Sequence, residues 1–138
     1  MATDLHLRVI TPDKIALDTR TDSVRVPAVD GQMGILSRHA AMVAALDAGV
    51  LRWTEGGVSR HMFVAGGFCE VQRGEVRIVT PAGERPVEID EARAREAEAR
   101  ARERLRVGKS TTGEPLDTVR AELSLRRALL RLSAKSLE

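Results

Sequence analysis

The sequence predicts a β plus α protein, in which an N-terminal all-β sandwich is followed by a C-terminal antiparallel hairpin of two helices. Two observations carry this prediction. Short segments of alternating apolar and polar residues, separated by glycine-rich turns, fill the chain as far as about residue 85. Beyond that point glycine is rare, and alanine, arginine and glutamate dominate, as in exposed helices. We therefore predict two domains, residues 1–85 and residues 86–138.

The first domain is predicted to consist of short strands. Leu5, Leu7 and Val9 alternate with polar neighbours, and Val24 and Val26 repeat this period of two, which is typical of strands with one buried face. Turn residues separate the segments at positions 30–31, 47–49, 55–57, 66–67 and 73–74. The other predicted strands cover residues 15–19, 41–46, 50–54, 58–64, 68–71 and 75–80. Short strands at this spacing indicate a sandwich or a barrel.

The second domain begins with a charged helix. Asp90 is placed to cap it, and the segment of strong helix formers that follows is about 17 residues long. Acid–arginine pairs four residues apart support this helix: Glu91–Arg95, Glu96–Arg100 and Glu98–Arg102. Its apolar stripe is thin, because it consists of Ala94, Ala97, Ala101 and Leu105. We expect this helix to hold its neighbours weakly.

A second helix is predicted from residue 116 to about residue 136, and Pro115 is placed to open it. Its large apolar residues form two stripes on nearly opposite sides, so the helix can contact two neighbours at once. The stripes are Leu116, Val119, Leu123 and Leu130, and Leu125, Leu129 and Leu132. A basic edge lies between them and consists of Arg120, Arg126, Arg127, Arg131 and Lys135. This edge is expected to face a partner, with simple solubility as the alternative.

Several kinds of binding find no support. Aromatic residues make up only 2% of the chain, so a platform that stacks nucleic-acid bases is not expected. The arginines of the first helix are interleaved with glutamates, which favours a solvated face over a nucleic-acid arm. His6, His39 and His61 lack the spacing of metal ligands, and we expect no metal.

Catalytic residues are not expected either. Gly108-Lys109-Ser110 resembles the end of a phosphate-binding loop, but Glu103 stands where that motif needs another glycine. Cys69 is the only cysteine and has no nucleophile signature around it, so a buried structural thiol is predicted. The chain is predicted to catalyse nothing by itself.

Four segments, in this order, resemble the epsilon subunit of F-type ATP synthases. They are Gly31-Gln32-Met33-Gly34-Ile35-Leu36-Ser37-Arg38-His39-Ala40, Ala48-Gly49-Val50-Leu51-Arg52, Gly66-Gly67-Phe68-Cys69-Glu70-Val71 and Ile89-Asp90-Glu91-Ala92-Arg93-Ala94. The resemblance covers nearly the whole chain and both predicted domains. It implies a non-catalytic subunit of the central stalk of a proton-translocating synthase.

The resemblance also implies partners. The sandwich would contact the gamma subunit and the membrane-embedded c-ring, which nominates Gln32, Met33 and His39 as contact residues. Gln32 replaces an acid that is common at this position in the family. The amino terminus lacks a transit peptide, so the expected location is peripheral, on the cytoplasmic face of a bacterial inner membrane, with membrane contact only through the complex.

The hairpin would act as a regulator in this family. Docked on the sandwich it permits ATP hydrolysis, and extended into the alpha/beta catalytic head it inhibits hydrolysis. Two packings of similar free energy make such a switch. The resemblance assigns the inhibitory interface to the basic edge, at Arg120, Arg126, Arg127 and Arg131.

The segment from Ile89 to Ala94 matches a motif that binds ATP in some bacterial relatives. The resemblance therefore implies that Asp90 and Arg93 contact a nucleotide, with Glu84, Arg100 and Arg127 as further contacts by position and charge. ATP would be a regulatory ligand, and no cofactor is required. The alternative function is a stand-alone ATP-binding sensor module without enzymatic activity.

Overall fold

The computed structural model describes residues 5–107 and 118–137. These residues form eight strands, a short 3-10 turn at Pro86–Glu88 and two helices. The strands are β1 (Leu5–Ile10), β2 (Ile15–Thr21), β3 (Ser23–Ala28), β4 (Gly31–Leu36), β5 (Met42–Glu55), β6 (Val58–Gln72), β7 (Glu75–Val79) and β8 (Gly83–Glu84). The helices are α1 (Glu91–Val107) and α2 (Thr118–Ser136). The predicted order of an all-β part followed by two helices is confirmed.

The strands pair in the order β2-β1-β7-β6-β5-β3-β4, and β8 pairs with β6. All ladders are antiparallel except that of β1 with β7. The sheet folds over on itself, because Thr21 in β2 lies 3.1 Å from Thr54 in β5, oxygen to oxygen. One core results, in which Leu17 of edge strand β2 and Ile35 of edge strand β4 share a single apolar cluster.

Two predicted turns are wrong, because four predicted strands merge into two long ones. Residues 41–46 and 50–54 belong to β5, and residues 58–64 and 68–71 belong to β6. The two long strands pair in one register from Met42↔Val71 to Glu55↔Val58. Glycines at positions 66 and 67 suggested a turn, but here they let a backbone with φ of 100° and 106° stay in the strand. Gly67 also lies next to the end of β7, where a Cβ would stand 1.9 Å from the Val79 carbonyl oxygen.

The sequence prediction missed β4, which begins directly after the turn at position 30. This strand has four exposed residues and a single buried one, Ile35, so its apolar period is weak. Backbone pairing with β3 holds these residues in a strand, although their own sequence does not indicate one.

The helices agree with the predicted lengths, but their buried surfaces differ from the predicted stripes. Helix α1 has the expected 17 residues and buries Ala94 and Ala101. Helix α2 buries Ala121, Ala128 and Ala134, whereas Val119 and Leu123 are exposed. Leu116, Pro115 and Gly108-Lys109-Ser110 lie outside the described residues. The helix does contact two neighbours, α1 on one side and the sheet on the other.

Helix α2 meets the sandwich over a second apolar cluster. Phe63 of β6, Ile89 and Ala134 are buried there, and Leu130 packs against them with Val50 and Ala65. No helix among the residues that the structure describes is both long and apolar enough to cross a membrane.

Candidate functional site

A cleft of about 480 Å³ lies where the chain leaves the sheet and enters the helices. Its walls come from the segment before α1 and from the facing surfaces of α1 and α2. The lining residues are Glu84, Glu88, Asp90, Arg93, Ala94, Ala97, Arg100, Ser124, Ala128 and Arg131. Alanines on both helices leave the space open, and charged side chains surround it.

Asp90 is the N-cap of α1, as its sequence position predicted. Its carboxylate accepts a hydrogen bond from the backbone N–H of Arg93 at 3.1 Å, and its carbonyl accepts one from Ala94 at 3.0 Å. The cap uses one carboxylate oxygen, so the other can bind a ligand in the cleft.

Glu84 and Arg131 close one end of the cleft. The Arg131 guanidinium donates to the Glu84 carboxylate at 2.9 Å and 3.0 Å, and both side chains are more than two-thirds buried. The same guanidinium lies over the Phe63 ring, 4.5 Å from its centroid. Sheet and α2 are therefore joined here by an ion pair and a cation–π contact.

Arg93 and Arg100 bring unneutralised positive charge to the cleft. Within residues 5–107 and 118–137, neither guanidinium has an acidic group within 4.0 Å. Glu88, which also lines the cleft, accepts from the backbone N–H of Arg85 at 2.9 Å and lies 3.6 Å from Lys14. Two free guanidiniums at one cleft are the donors that phosphate groups bind best.

The cleft brings together four of the five residues predicted to contact a nucleotide, namely Glu84, Asp90, Arg93 and Arg100. Arg127 does not line it, although its guanidinium lies 3.4 Å from the hydroxyl of Ser124, which does. Sequence reasoning missed Glu88, Ser124 and Arg131 as lining residues. The spacing of Arg131 from Arg127 on one helical face was the available signal, but it was assigned to the basic edge.

The basic edge of α2 binds the sandwich in this structure. Besides the contact of Arg131, Arg126 pairs with Asp47 of β5 at 2.9 Å, and the Lys135 ammonium donates to the Pro86 carbonyl at 2.9 Å. Arg120 is exposed near the start of α2. The assignment of these arginines to an inhibitory interface stays a prediction.

The residues predicted to contact a rotor lie on and beside edge strand β4. Gln32 is exposed on this strand, whereas Met33 is partly buried against the sandwich core. His39 lies in the loop beyond the strand, where its Nδ1 is 2.8 Å from the Ala40 carbonyl oxygen. Their role as contact residues stays a prediction.

The remaining reactive groups form no further centre in the part of the chain that the structure describes. There, no three of His, Cys, Asp and Glu come together as metal ligands. Cys69 is fully buried, and burial, with a smaller contribution from Glu70, raises the pKa of its thiol to about 11. A neutral thiol of this kind is inert, as predicted for Cys69.

Two family models match this chain, and together they span both structural parts. Residues 4–86 match the β-sandwich domain of the ATP synthase delta/epsilon chain, and residues 88–136 match its long α-helix domain. The chain belongs to the delta/epsilon chain family of ATP synthases. The family resemblance stated from sequence motifs is thereby confirmed, and so is the fold.

Curated relatives within this family are similar over nearly their whole length. The ATP synthase epsilon chain of Symbiobacterium thermophilum is 46% identical over 132 residues, which cover 95% of this chain and 92% of the relative. The epsilon chain of Halalkalibacterium halodurans is 44% identical over 128 residues, with coverages of 93% and 94%.

Chains in two solved ATP synthase structures have a similar fold. A chain in the mitochondrial ATP synthase of Euglena gracilis, solved as an assembly of OSCP, F1 and c-ring, matches with a TM-score of 0.76 and 25% identity, over all of this chain and 83% of that one. A chain from the central stalk and c-ring of the Tetrahymena thermophila enzyme matches in fold, with a TM-score of 0.58 and 15% identity. Its coverages are 97% of this chain and 98% of that one.

Proposed function

We propose that this chain is a non-catalytic subunit of the central stalk of a proton-translocating ATP synthase. In this role the sandwich couples rotation between the gamma subunit and the c-ring, and the hairpin restrains ATP hydrolysis by the alpha/beta head. The chain then lies peripherally on the cytoplasmic face of a bacterial inner membrane. Family membership and the solved relatives within c-ring assemblies support this proposal.

One observation carries the regulatory part of the proposal. The hairpin rests on the sheet over a small apolar cluster and through contacts of Arg126, Arg131 and Lys135 with the sandwich and the 3-10 turn. The sandwich core contains none of the hairpin's residues. The helices can therefore leave the sheet while the sandwich stays folded, which is the property that a movable inhibitor requires.

A deletion tests this directly. A chain that ends at Val87 is expected to assemble into the synthase and support proton-coupled ATP synthesis, while inhibition of ATP hydrolysis is lost. The measurements are ATP synthesis and hydrolysis by membranes that carry the deleted or the full chain. Hydrolysis that stays equally inhibited after the deletion would refute the hairpin's role.

We also propose that the cleft binds ATP as a regulatory ligand. Arg93 and Arg100 are placed to bind phosphates, and Asp90, Glu84 and Glu88 offer acceptors for hydroxyl groups or for Mg²⁺. Because α1, α2 and the segment before α1 all line the cleft, a bound ligand would stabilise the docked hairpin by linkage. A stand-alone ATP sensor would use the same cleft, but it would not co-purify with the gamma subunit.

Calorimetry with MgATP on the full chain tests the ligand. Binding should weaken about tenfold in Arg100→Gln, because a charge-assisted hydrogen bond is lost. Arg104→Gln removes an equal charge from α1 outside the cleft and should bind as the unchanged chain does. Absence of heat at millimolar MgATP would contradict the proposal, as would equal losses in the two variants.

A further inference from the structure

Three basic side chains form a row across neighbouring strands on the outer face of the sandwich. Arg25 of β3 is paired with Arg52 of β5, and Arg52 is paired with His61 of β6. Directly paired residues point to the same side of a sheet, with Cβ atoms about 5 Å apart. On β4 the next position of the row is Gly34, which carries no side chain and leaves Arg25 open on that side.

The charges in this row are not neutralised by the protein. Within the described residues, no acidic group lies within 4.0 Å of the guanidinium of Arg25 or of Arg52. The Arg52 Nε–H donates to His61 Nε2 at 3.4 Å, a bond that needs a neutral imidazole as acceptor. Like charges that face each other across strands are destabilising, so this row favours an anion that binds between them.

The pKa of His61 responds to the positive charge of the row. Burial lowers its pKa, and the positive charge of Arg52 lowers it further. Other charged residues line the two grooves that His61 borders: Arg25, Asp47 and Arg126 in one, and Glu55, Arg60 and Arg85 in the other. Asp47 is paired with Arg126 and Glu55 with Arg60, so neither acid neutralises the row.

The surface around the row is shaped to receive a ligand. A groove of about 370 Å³ brings the Ser23 and Ser59 side chains beside Arg25 and Arg52. A second groove, of about 550 Å³, shares both arginines and His61, and α2 forms its far wall. Guanidiniums with adjacent hydroxyls present several donors converging on one place, which suits a tetrahedral oxyanion.

We propose that Arg25, Arg52 and His61, with the Ser23 and Ser59 hydroxyls, form a binding site for an oxyanion of the phosphate class. The site lies on the outer face of β3, β5 and β6, and shares no lining residue with the cleft between α1 and α2. Two paired guanidiniums donate to the phosphate oxygens. The anion removes the repulsion between them and stabilises the protonated form of His61.

The test is an NMR pH titration of the three histidine side chains in the full chain. Inorganic phosphate is compared with sodium chloride at equal ionic strength. Phosphate should raise the midpoint of the His61 titration by about half a pH unit or more, because a bound anion offsets the positive charge of Arg52. The rise should level off as the phosphate concentration increases. His6, which pairs with Asp18 on another part of the sheet, should not respond.

Variants distinguish a built site from general charge. Arg25→Gln and Arg52→Gln should each weaken the phosphate-dependent shift of His61 about tenfold in apparent affinity. Arg20→Gln removes the same charge from β2 and should leave the shift unchanged. All three positions are solvent-exposed, so each variant is expected to fold, and the fluorescence of Trp53 is the measurement that checks this.

An arm with ATP identifies the source of the phosphate group. A saturable His61 shift with ATP but not with inorganic phosphate would assign the site to a nucleotide's phosphates, and the reverse would assign it to free phosphate. Either result supports the site. No shift beyond that in sodium chloride, with both ligands, would overturn the proposal, as would an equal shift in the Arg25→Gln chain.

Discussion

The sandwich and the helical hairpin bury different kinds of side chain. Inside the sandwich, Leu5, Leu7, Leu51, Met62 and Ile78 are completely buried. The buried residues of the helices are alanines, and large side chains such as Leu123 and Leu129 are exposed. A buried leucine contributes about 1.5–3 kcal/mol, whereas an alanine methyl contributes a fraction of that. One chain therefore combines a strongly held body with a weakly held one.

The two bodies also differ in what joins them. Backbone ladders join the strands of the sandwich from β2 to β4, whereas the hairpin meets it over the small apolar cluster at Phe63 and the polar contacts around that cluster. Polar and ionic contacts of this kind exchange readily with water or with another protein surface. This difference supports our proposal that the hairpin can change partners while the sandwich stays folded.

The largest effect is expected from a cavity in the sandwich core. Leu51→Ala should lower the free energy of unfolding by about 3 kcal/mol, because it removes a fully buried side chain from close packing. Leu129→Ala, which truncates an exposed residue of α2, should change it by less than about 1 kcal/mol. Urea unfolding followed by the fluorescence of Trp53, the only tryptophan, measures both. Equal losses of unfolding free energy in the two variants would contradict the difference between a strongly held sandwich and a weakly held hairpin.

Alkaline pH should weaken the sandwich through the Cys69 thiol. The pKa of Cys69 is raised to about 11 in the folded chain, so between pH 9 and 11 the unfolded chain loses this proton and the folded chain keeps it. Stability should therefore fall through this window, by about 3 kcal/mol at most from this thiol. The Cys69→Ala chain should show a flatter pH dependence in the same urea titrations. Parallel curves for the two chains would contradict a buried, neutral thiol.

Breaking one contact of the hairpin should loosen it without weakening the sandwich. Arg131→Gln removes the partner of Glu84 and the cation over Phe63, at about 1–2 kcal/mol of docking free energy. Amide hydrogen exchange in α2 should then be about tenfold faster, with exchange in β6 unchanged. Arg95→Gln breaks an exposed pair within α1 and serves as the matched control. A similar rise in the control would mean that Arg131 does not hold the hairpin.

The smallest effect concerns Asp90, which has two possible roles. Asp90→Ala should destabilise α1 by about 1 kcal/mol, because the cap to the Arg93 N–H is lost. Asp90→Asn keeps a good capping side chain and should restore most of that loss, as measured by helical circular dichroism. Failure of the asparagine variant to restore helix content would show that the charge, rather than the cap, holds this helix end.

Local sequence signals predicted much of this molecule. The period-two pattern located β1, β2, β3 and β7, and the cap at Asp90 located the start of α1. Long-range effects account for the errors. Glycines 66 and 67 indicated a turn, yet they continue a strand, because this part of β6 stays paired with β5 and a Cβ at Gly67 would clash with the Val79 carbonyl. Likewise, only tertiary packing decides that α2 buries its alanines and turns Arg126 and Arg131 toward the sheet.

The candidate cleft was also predicted only in part, because local signals locate some of its residues and long-range contacts bring in the others. A short motif placed Asp90 and Arg93, and charge near the motif suggested Glu84 and Arg100. Arg131 is 47 residues from its partner Glu84 in the chain, and a contact over such a separation cannot be predicted from local sequence patterns. Only the fold shows that Arg131 of α2 meets Glu84 of β8.

We propose that the hairpin inhibits ATP hydrolysis only when it can leave the sandwich. Cysteines at Asp47 and Arg126, whose side chains form an ion pair here, can be joined by a short bis-maleimide, while Cys69 stays unreactive in the core. N-ethylmaleimide on the same variant is the control without a tether. Assembled into the synthase, the tethered chain should leave ATP hydrolysis uninhibited, and the control should inhibit it. Equal inhibition by both chains would contradict the account.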